Sequence, residues 1–376
     1  MSITDKIIEG ANQQRVLLTR LQKSPKPVII YGAGVYAYVL KRFLAANGIS
    51  VEAVMVDAAY QSDEAFIGME LITTEESAER MAASHIVVGI TNYPAFVDRL
   101  SALGATDIHV IDIPDYLNMP NAFMDAAFVK ANSELFEQAN ALFADDLSRS
   151  TYVAAINCKI NEDLEYIKPF VRLDNLYFPS TEFPLGNQEV LLDVGGFTGD
   201  TVREFHQLTN NQYAGIISLE PSDENFTKLK NTVSELGLTK VLPLKVGAWD
   251  EKATLRFTTK ELHIDNQITE DGDLKIEVDT IDAILAGIER GVSMIKLDIN
   301  GAEYRALCGA KDTIRKCRPR IIVRLHTKED FFRLPILLKE IAPDIRLYLR
   351  QRNCMSMMVV LYGVFDSTSS TATPNP

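Results

Sequence analysis

The sequence predicts an α/β protein composed of two Rossmann-like domains. Two glycine-rich turns support this prediction, YGAG at 31–34 and VGGFTG at 194–199, because each follows an apolar run and precedes a helix-like segment. Around both turns, short apolar runs alternate with amphipathic segments, which is the pattern of a parallel sheet with helices on its faces. The length of 376 residues also exceeds one ordinary domain and fits two.

The first half carries the elements of a small parallel sheet that ends near residue 113. An amphipathic helix is expected over 2–22, followed by a strand–turn–helix–strand unit over 26–57. The further elements predicted here are a strand near 69–72, a helix over about 74–83, a strand in HIVVGI, a helix over 93–102 and a strand in DIHVID. From about 115 to 165 strand signals vanish, and Ala, Leu, Phe and Glu recur at helical spacing, which predicts a helical connector.

The second half repeats the alternation from residue 189 onwards but ends differently. Strands are predicted in EVLLDVGG, GIISLEPS, VLPLKVGAW, TLRFT, KIEVDT, VSMIKLDI and PRIIVRLH. Helices are predicted in TVREFHQLT, DENFTKLKNTVSELG, DTIDAILAG and GAEYRALCGAKDTIRKC, and over 328–341. The closing segments IRLYLRQR and SMMVVLYGVF predict a terminal β-hairpin with an antiparallel strand.

These patterns divide the chain into four parts. We expect a Rossmann-like domain over 1–114, a helical connector over 115–174, a second α/β domain over 175–365 and a disordered tail over 366–376.

The composition excludes some classes of function. The net charge of −13 argues against nucleic acid as a partner, because phosphate binding requires a basic surface. The sequence has no signal peptide and no apolar run of about eighteen residues, so we expect no membrane partner and a cytoplasmic location. The four cysteines lie far apart without metal-ligand spacing, which predicts reduced thiols and no metal. Homo-oligomer formation is left open.

The first glycine turn is close to the dinucleotide-binding pattern. Gly32, Gly34 and Ala37 give GxGxxA, and Asp57 follows 25 residues after Gly32 at the end of the next strand. Such a turn directs helix N-terminal N–H groups at a ligand, and the carboxylate can accept hydrogen bonds from ribose hydroxyls. A glycine turn with no ligand fits the same residues.

The second glycine turn has a different spacing. Gly195, Gly196 and Gly199 follow Asp193 at the end of a strand, and Glu220 lies 25 residues after Gly195. The acid at this distance is common to dinucleotide and S-adenosylmethionine sites, so it does not separate them. The terminal hairpin does, because a dinucleotide fold would continue with another strand–helix unit.

VLPLKVGAWD places three residues after a strand, where an adenine could stack or be hydrogen-bonded. They are Ala248, Trp249 and Asp250, and Trp249 is the only tryptophan of the chain. A packing role for Trp249 beneath a loop fits the sequence equally well.

Residues 175–365 resemble the FkbM-type methyltransferases, a family of S-adenosylmethionine-dependent O-methyltransferases. The matching segments are FPLGNQEVLLDVGGFTGDTV, SLEPSDENFTKLK, VGAWDEKATLRF, VDTIDAIL and IKLDINGAEYRALCGAKDTIRKCRPRIIVRLH. The resemblance implies a class I methyltransferase fold with S-adenosylmethionine as cofactor. It also implies the cofactor contacts: the methionine part beside Asp193, Gly195, Gly196, Phe197, Thr198 and Gly199, the ribose at Glu220 with Ser222 near it, and the adenine between Ala248 and Trp249.

Residues 27–113 are similar to small Rossmann-like domains of nucleotide-sugar-modifying enzymes and of some two-domain FkbM proteins. The similarity rests on YGAGVYAYVL, VMVD and FIGMELITTEE. It implies a second nucleotide or nucleotide-sugar site at Gly32, Gly34 and Asp57. A scaffold or a substrate-presenting module is the alternative.

Candidate catalytic groups lie where ligands of open α/β sheets bind, at the carboxyl ends of strands. Asp298, Glu303 and His326 all follow predicted strands, and Lys296 shares a strand face with Asp298. An alcohol is a poor nucleophile at neutral pH, so a base beside it assists methyl transfer. A structural ion pair between Lys296 and a carboxylate is the alternative.

One position departs from the family pattern. FkbM proteins usually have DVEGAE in the turn that reads DINGAE here, so Asn300 replaces an acid. Asparagine cannot act as a base or as a strong metal ligand, which moves the base to Asp298 or His326. His263, in the polar loop ELHIDNQITEDGD, is a further candidate that could cover the site.

The sequence therefore predicts an S-adenosylmethionine-dependent O-methyltransferase. The resemblance implies that its acceptor is a hydroxyl of a sugar or related polar metabolite, either a small molecule or a glycan. Two alternatives stay open: a non-catalytic protein that binds S-adenosylmethionine or a nucleotide, which Asn300 favours, and an NAD-dependent oxidoreductase that uses the Gly32 turn.

Overall fold

The computed structural model describes residues 2–61, 66, 68–75, 77–113, 124–179, 181–258, 267–268, 272, 274–288 and 291–366. His263 and most of its polar loop lie outside the described residues, and so does the predicted tail after Asp366. The boundary predicted between 114 and 115 also falls outside them.

The N-terminal segment is not the continuous helix predicted over 2–22. A 3₁₀ helix spans Thr4–Lys6, and helix α1 begins only at Gln13 and ends at Lys23. The residues between them run beside a later helix, where Asn157 accepts from Ile8 N at 2.8 Å and Asn161 accepts from Gly10 N at 2.7 Å. Because these amide side chains satisfy the backbone, the segment needs no helical hydrogen bonds.

The first sheet follows the predicted alternation of strands and helices. Its elements are β1 (Val28–Tyr31), α2 (Val35–Ala46), β2 (Val51–Val56), β3 (Leu71–Thr73), α3 (Ala78–Ala82), β4 (His85–Val88), α4 (Pro94–Ala102) and β5 (Ile108–Val110). All five strands are parallel in the order β3-β2-β1-β4-β5. β1 and β4 are buried along their whole length, which explains their continuous apolar sequences.

Three helices follow in the region predicted to be a helical connector. They are α5 (Ala126–Ala131), α6 (Ser133–Ala141) and α7 (Asp146–Asn161), and two 3₁₀ turns follow them at Leu164–Tyr166 and Lys168–Phe170. These helices share the core of the second sheet: the ring of Phe136 lies 5.3 Å from that of Phe332, and Tyr152 OH donates to Phe331 O. None of the helices in the described residues is long and apolar enough to cross a membrane.

The second half is built on a larger sheet. Its elements are β6 (Val190–Val194), α8 (Asp200–Leu208), β7 (Gly215–Leu219), α9 (Asp223–Glu235), β8 (Val241–Leu244), β9 (Gly247–Trp249), β10 (Ala253–Thr258), β11 (Gln267–Ile268), β12 (Leu274–Thr280), α10 (Ile281–Leu285), β13 (Met294–Leu297), α11 (Glu303–Cys308), α12 (Lys311–Cys317), β14 (Arg320–Arg324), α13 (Asp330–Ile341), β15 (Arg346–Gln351) and β16 (Val359–Val364).

Seven of these strands form one sheet in the order β15-β16-β14-β13-β6-β7-β8. β16 is antiparallel to both of its neighbours, β14 and β15. The predicted terminal hairpin is therefore confirmed, with β16 inserted into the sheet rather than added at its edge. The glycine turn after β6 lies near the middle of the sheet, between β7 and β13.

Two predicted elements are each divided in the structure. VLPLKVGAW forms β8 and β9, and β9 leaves the large sheet to pair with β12 in a small sheet of order β11-β10-β12-β9. The helix predicted over 301–317 breaks into α11 and α12 around Gly309. A Cβ atom at Gly309 would lie 2.0 Å from the Trp249 carbonyl oxygen, so the break lets the backbone of β9 approach closely.

The turn of the terminal hairpin connects the two halves of the protein. Met355 and Met357 are buried together with Ile111 against the first sheet. Ser356 N donates to Asp112 Oδ2 at 3.1 Å in the same contact.

Candidate active site

A cavity of about 410 Å³ opens at the carboxyl ends of the central strands of the large sheet. The residues that line it come from both glycine-turn and strand-end segments: Tyr177, Val194, Gly195, Phe197, Asp200, Leu219, Glu220, Pro221, Asn225, Gly247, Ala248, Trp249, Ile276, Val278, Lys296, Asp298, Ile299, Asn300, Gly301, Ala302, Arg324 and Thr327. Its volume and its mixture of apolar and polar lining residues are typical of a small-molecule site.

The glycine turn forms the floor of the cavity. Gly195 has φ +88°, and a Cβ atom there would lie 2.3 Å from the carbonyl oxygen of Asp298. Gly195 N and Gly196 N both donate to Leu219 O, at 3.0 and 2.8 Å. Only glycine permits both this backbone conformation and the close approach of the turn to the end of β13.

Glu220 connects the glycine turn with the start of α9. Its carboxylate accepts from Phe197 N and from Ser222 N, both at 2.9 Å. Phe197 has φ +46°, a conformation that side-chain-bearing residues rarely adopt, and the Glu220 hydrogen bond helps to hold it. Burial raises the pKa of Glu220 to about 7, although the two backbone N–H groups partly oppose that rise.

Lys296 and Asp193 form a buried ion pair beneath the turn. Lys296 Nζ lies 3.0 Å from Asp193 Oδ1 and donates to Gly195 O at 2.9 Å, while Ser218 Oγ donates to Asp193 Oδ2 at 2.8 Å. Burial lowers the pKa of Lys296, but the carboxylates of Asp193 and Asp298 outweigh it and raise that pKa above its ordinary value. The charged ammonium therefore positions the turn and is not available as a base.

Asp298 lines the cavity and is held by three side chains. Tyr177 OH donates to its Oδ2, Arg324 Nη1 lies 3.1 Å from the same oxygen, and His326 Nε2 lies 3.0 Å from Oδ1. Burial acts to raise the pKa of Asp298, but Arg324 and then His326 outweigh it and hold the pKa well below its usual range. Asp298 is therefore an ionised, oriented carboxylate at the cavity wall.

His326 and Glu303 lie behind Asp298 and are both fully buried. His326 Nδ1 lies 2.8 Å from Glu303 Oε1, and Ile299 N and Gly301 N donate to the two Glu303 oxygens. Burial lowers the pKa of His326, but the Glu303 carboxylate outweighs it and raises the pKa to about 9. His326 is thus a cation between two carboxylates, and neither it nor Glu303 is among the residues that line the cavity.

Part of the cavity wall is apolar. It is formed by Ala248 and Trp249 together with Ile276, Val278 and Ala302. The Arg305 guanidinium lies 5.5 Å from the centre of the Trp249 ring on one side. A flat aromatic ligand can pack along this wall by excluding water from both surfaces.

Of the ten residues predicted to bind the cofactor, five line the cavity: Gly195, Phe197, Glu220, Ala248 and Trp249. The other five are Asp193, Gly196, Thr198, Gly199 and Ser222, which support the turn or the helices from behind. Gly196 faces Ser218, Thr198 O accepts from Thr232, Gly199 precedes α8 with φ +87°, and Ser222 caps α9.

The residues that sequence reasoning missed come mainly from distant segments. Tyr177 precedes the first strand of the domain, and Arg324 lies two residues before the predicted His326. Arg324 carried a signal, because a charged residue in the apolar run IIVRLH requires a partner when buried. Tyr177 carried none, because its contact with Asp298 spans 121 residues of sequence.

Asn300 and Gly301 both have left-handed backbones, with φ +52° and +98°. Asparagine adopts this conformation more readily than other side-chain-bearing residues, which gives a backbone reason for its presence in the turn. Asn300 nevertheless lines the cavity, so it also contributes a polar group to the site.

At the first glycine turn, the acid predicted to bind a ligand already has three side-chain partners. Asp57, predicted to hold a ribose, accepts from Tyr31 OH at 3.0 Å and from Thr74 Oγ1 at 3.1 Å, and it lies 2.9 Å from Arg99 Nη1. Gly32 has φ +109°, and Gly34 has open space where a Cβ atom would stand. A second ligand site at this turn stays a prediction.

Comparisons with known proteins identify a family model that matches part of this chain. Residues 193–354 match the family model described as the methyltransferase FkbM domain. No curated protein sequence is significantly similar to the chain.

Methyltransferase FkbM from Methylobacillus flagellatus KT has a similar solved structure, with 20% identity, a TM-score of 0.64 and coverage of 96% of this chain and 97% of that chain. At this identity the likeness shows the fold, which is the predicted class I methyltransferase fold joined to an N-terminal α/β unit.

Two further structures are similar over 48% of this chain. An rRNA methylase from Streptococcus thermophilus has 10% identity, a TM-score of 0.31 and 90% of its own chain covered. Fibrillarin from Aeropyrum pernix, in complex with natively bound S-adenosyl-L-methionine, has 11% identity, a TM-score of 0.32 and 69% coverage.

Proposed function

We propose that this protein, whose residues 193–354 form an FkbM methyltransferase domain, methylates a hydroxyl of a sugar or related polar metabolite with S-adenosylmethionine. The observation that carries the proposal is that one cavity holds two different sets of groups. Gly195, Phe197, Glu220 and Trp249 form one set, and Asp298 with its own polar partners forms the other.

The first set fits the cofactor. Glu220 has two carboxylate oxygens that each accept one backbone hydrogen bond and retain further lone pairs for ribose hydroxyls. The adenine fits the apolar wall beside Ala248 and Trp249, and the methionine part fits the turn at Gly195. When bound, S-adenosylmethionine supplies an electrophilic methyl group on its sulfonium centre.

The second set fits a hydroxyl acceptor. The ionised Asp298 can accept a hydrogen bond from the acceptor hydroxyl, and its contacts with Tyr177, Arg324 and His326 fix its direction. In-line methyl transfer depends mainly on holding oxygen, methyl and sulfur in line, so an oriented carboxylate contributes chiefly by positioning. Its low pKa makes it a weak base that takes the hydroxyl proton only as the new bond forms.

The polar residues that line the cavity favour a polar acceptor. Asn300, Thr327 and Asp200 line the same cavity as Asp298. Such a density of donors and acceptors suits a polyhydroxylated molecule, because each sugar hydroxyl requires a partner when it leaves water.

The proposal can be tested by turnover. The purified full-length protein is incubated with S-adenosylmethionine and a panel of sugars and nucleotide sugars, and S-adenosylhomocysteine is quantified. We expect acceptor-dependent product that falls about 100-fold or more in Asp298→Asn. Asp146→Asn, at a fully exposed position on α7, is the control and should retain wild-type turnover.

Two results would contradict the proposal. One is tight cofactor binding without turnover for any hydroxylated acceptor, which would favour a non-catalytic binding protein. The other is unchanged turnover in Asp298→Asn, which would remove Asp298 from the acceptor site.

A further inference from the structure

A second cluster of ionisable groups lies in the N-terminal half, at the amino end of the first sheet. His85 is the first residue of β4, Asp107 stands just before β5, and His109 is the middle residue of β5. His85 Nδ1 lies 2.8 Å from Asp107 Oδ2, and His109 Nε2 lies 2.9 Å from Asp107 Oδ1. The two ring nitrogens are themselves 3.2 Å apart.

The cluster is shielded from solvent, and one of its imidazole rings is held by a hydrogen bond to a residue outside the cluster. The side chains of His85, Asp107 and His109 are 3%, 11% and 9% exposed. His85 Nε2 lies 2.7 Å from Ser24 Oγ, so the second nitrogen of that ring has its own partner while Nδ1 points into the cluster. A hydrogen bond to the distal nitrogen is the usual way in which proteins orient a metal-binding imidazole.

The spacing of the three donor atoms matches a metal site. Tetrahedral ligands about 2.0–2.1 Å from Zn²⁺ stand roughly 3.3 Å from one another. The two imidazole nitrogens are 3.2 Å apart, and they lie 2.8 and 2.9 Å from different oxygens of Asp107, so a small rotation of the carboxylate that turns one oxygen towards both nitrogens accommodates the ion. Two imidazoles and one carboxylate are ligands that Zn²⁺ accepts.

We propose that His85, Asp107 and His109 form a Zn²⁺ site that ties β4 and β5 together at the amino end of the first sheet. The fourth position is left to solvent. The site lies at the opposite end of the strands from the glycine turn at Gly32, and a bound ion would stabilise the pairing of β4 with β5. No short sequence motif marks these three residues, because they come from two strands that are neighbours only in the sheet.

A second cluster of this kind among the described residues, Asp298, Glu303 and His326, has a different arrangement. There the two carboxylates face opposite nitrogens of one ring, and Arg324 already binds Asp298. Two imidazole nitrogens do not converge on one carboxylate as they do at Asp107. Its geometry is that of an ion-pair network.

Arg20 and Lys26 are the charges that oppose a metal at Asp107. Arg20 Nη2 lies 2.7 Å from Asp107 Oδ1, and Lys26 Nζ lies 3.6 Å from Oδ2. Their side chains are 58% and 44% exposed, so both can move into solvent when the metal neutralises the carboxylate. The proposal therefore predicts that Arg20→Gln binds Zn²⁺ at least as tightly as the wild type.

The test is a titration of chelator-treated, full-length protein with zinc chloride by calorimetry. We expect one Zn²⁺ per chain and at least tenfold weaker binding in His109→Gln. His206→Gln, a histidine on α8, is the matched control and should bind as the wild type does. Circular dichroism of each variant confirms that it is folded.

A second measurement requires no variant. Co²⁺ added to the chelator-treated wild type should give the visible absorption of a tetrahedral site, and Zn²⁺ should abolish it and raise the midpoint of thermal unfolding. Absence of Zn²⁺ binding and of a Co²⁺ spectrum would overturn the proposal and leave a hydrogen-bonded triad. Equal Zn²⁺ affinity in His109→Gln would overturn it as well.

Discussion

The imidazole of His326 lies 3.0 Å from the carboxylate of Asp298. The two residues have different roles, although the sequence made each of them a candidate base. His326 was a candidate base, but its ring is buried and held as a cation between Asp298 and Glu303. Asp298 alone of these three reaches the cavity. His326 is therefore best understood as a positioning residue that acts through Asp298.

The charged state of His326 predicts a pH-dependent stability. Its pKa is about 9 in the folded protein and near 6.5 when unfolded, so its contribution is fully present below about pH 6.5 and is lost as the pH rises through 9. Denaturant unfolding should show a loss of about 2 kcal/mol between about pH 7 and pH 9 from this group. In His326→Gln that loss should be absent, and an unchanged pH profile would contradict the assignment.

Glu220 predicts a pH-dependent cofactor affinity. Burial raises its pKa to about 7, and only the ionised carboxylate can accept hydrogen bonds from both ribose hydroxyls. The affinity for S-adenosylmethionine should therefore rise as the pH increases through 7, approaching tenfold per pH unit below about pH 6. Calorimetry at several pH values measures this dependence.

Two variants make the Glu220 measurement specific. Glu220→Gln should bind weakly at every pH, without the rise. Glu224→Gln, on the exposed face of α9 where Glu224 pairs with Lys228, should keep the wild-type profile. A wild-type profile in Glu220→Gln would show that another group titrates.

Gly195 predicts a steric requirement in the glycine turn. Gly195→Ala places Cβ 2.3 Å from Asp298 O at φ +88°, so the turn and the end of β13 must separate. We expect a loss of roughly 2 kcal/mol or more in unfolding free energy, together with weaker cofactor binding. Gly34→Ala in the other turn has open space and φ −96°, so it should cost less than about 1 kcal/mol.

The buried ion pair of Lys296 and Asp193 should make the effects of substituting the two residues on stability non-additive. Lys296→Met leaves the Asp193 carboxylate buried without its ammonium partner, which should cost about 3–5 kcal/mol. Adding Asp193→Asn removes that charge and should recover part of the loss, as a double-variant cycle in denaturant would record. Stability equal to wild type in Lys296→Met would contradict the buried pair.

Much of the fold follows from local sequence patterns. The glycine turns, the alternation of strands and helices and the terminal hairpin all have short-range signals, and the structure contains them. The prediction of one continuous N-terminal helix was wrong because the backbone N–H groups of Ile8 and Gly10 donate to side chains of α7, about 150 residues away along the chain. The division at Gly309 depends on the approach of β9, which no local pattern records.

The candidate site was predictable where position along a strand determines function. Glu220 and Asp298 close strands that end at the cavity, and both line it. It is harder to predict whether a residue at a strand end faces the cavity or the core. His326 also follows a strand, yet its ring faces the buried Glu303. Tyr177 reaches Asp298 only through tertiary packing and had no signal in the sequence, whereas Arg324 stood out as a charge in an apolar run whose partner the sequence did not identify.

The most direct test of the proposed function is a calorimetric titration of the purified full-length protein with S-adenosylmethionine and, separately, with NAD. The account predicts binding of one S-adenosylmethionine per chain, loss of that binding in Glu220→Ala and no comparable binding of NAD. Tight NAD binding with no response to S-adenosylmethionine, and no effect of Glu220→Ala, would contradict it.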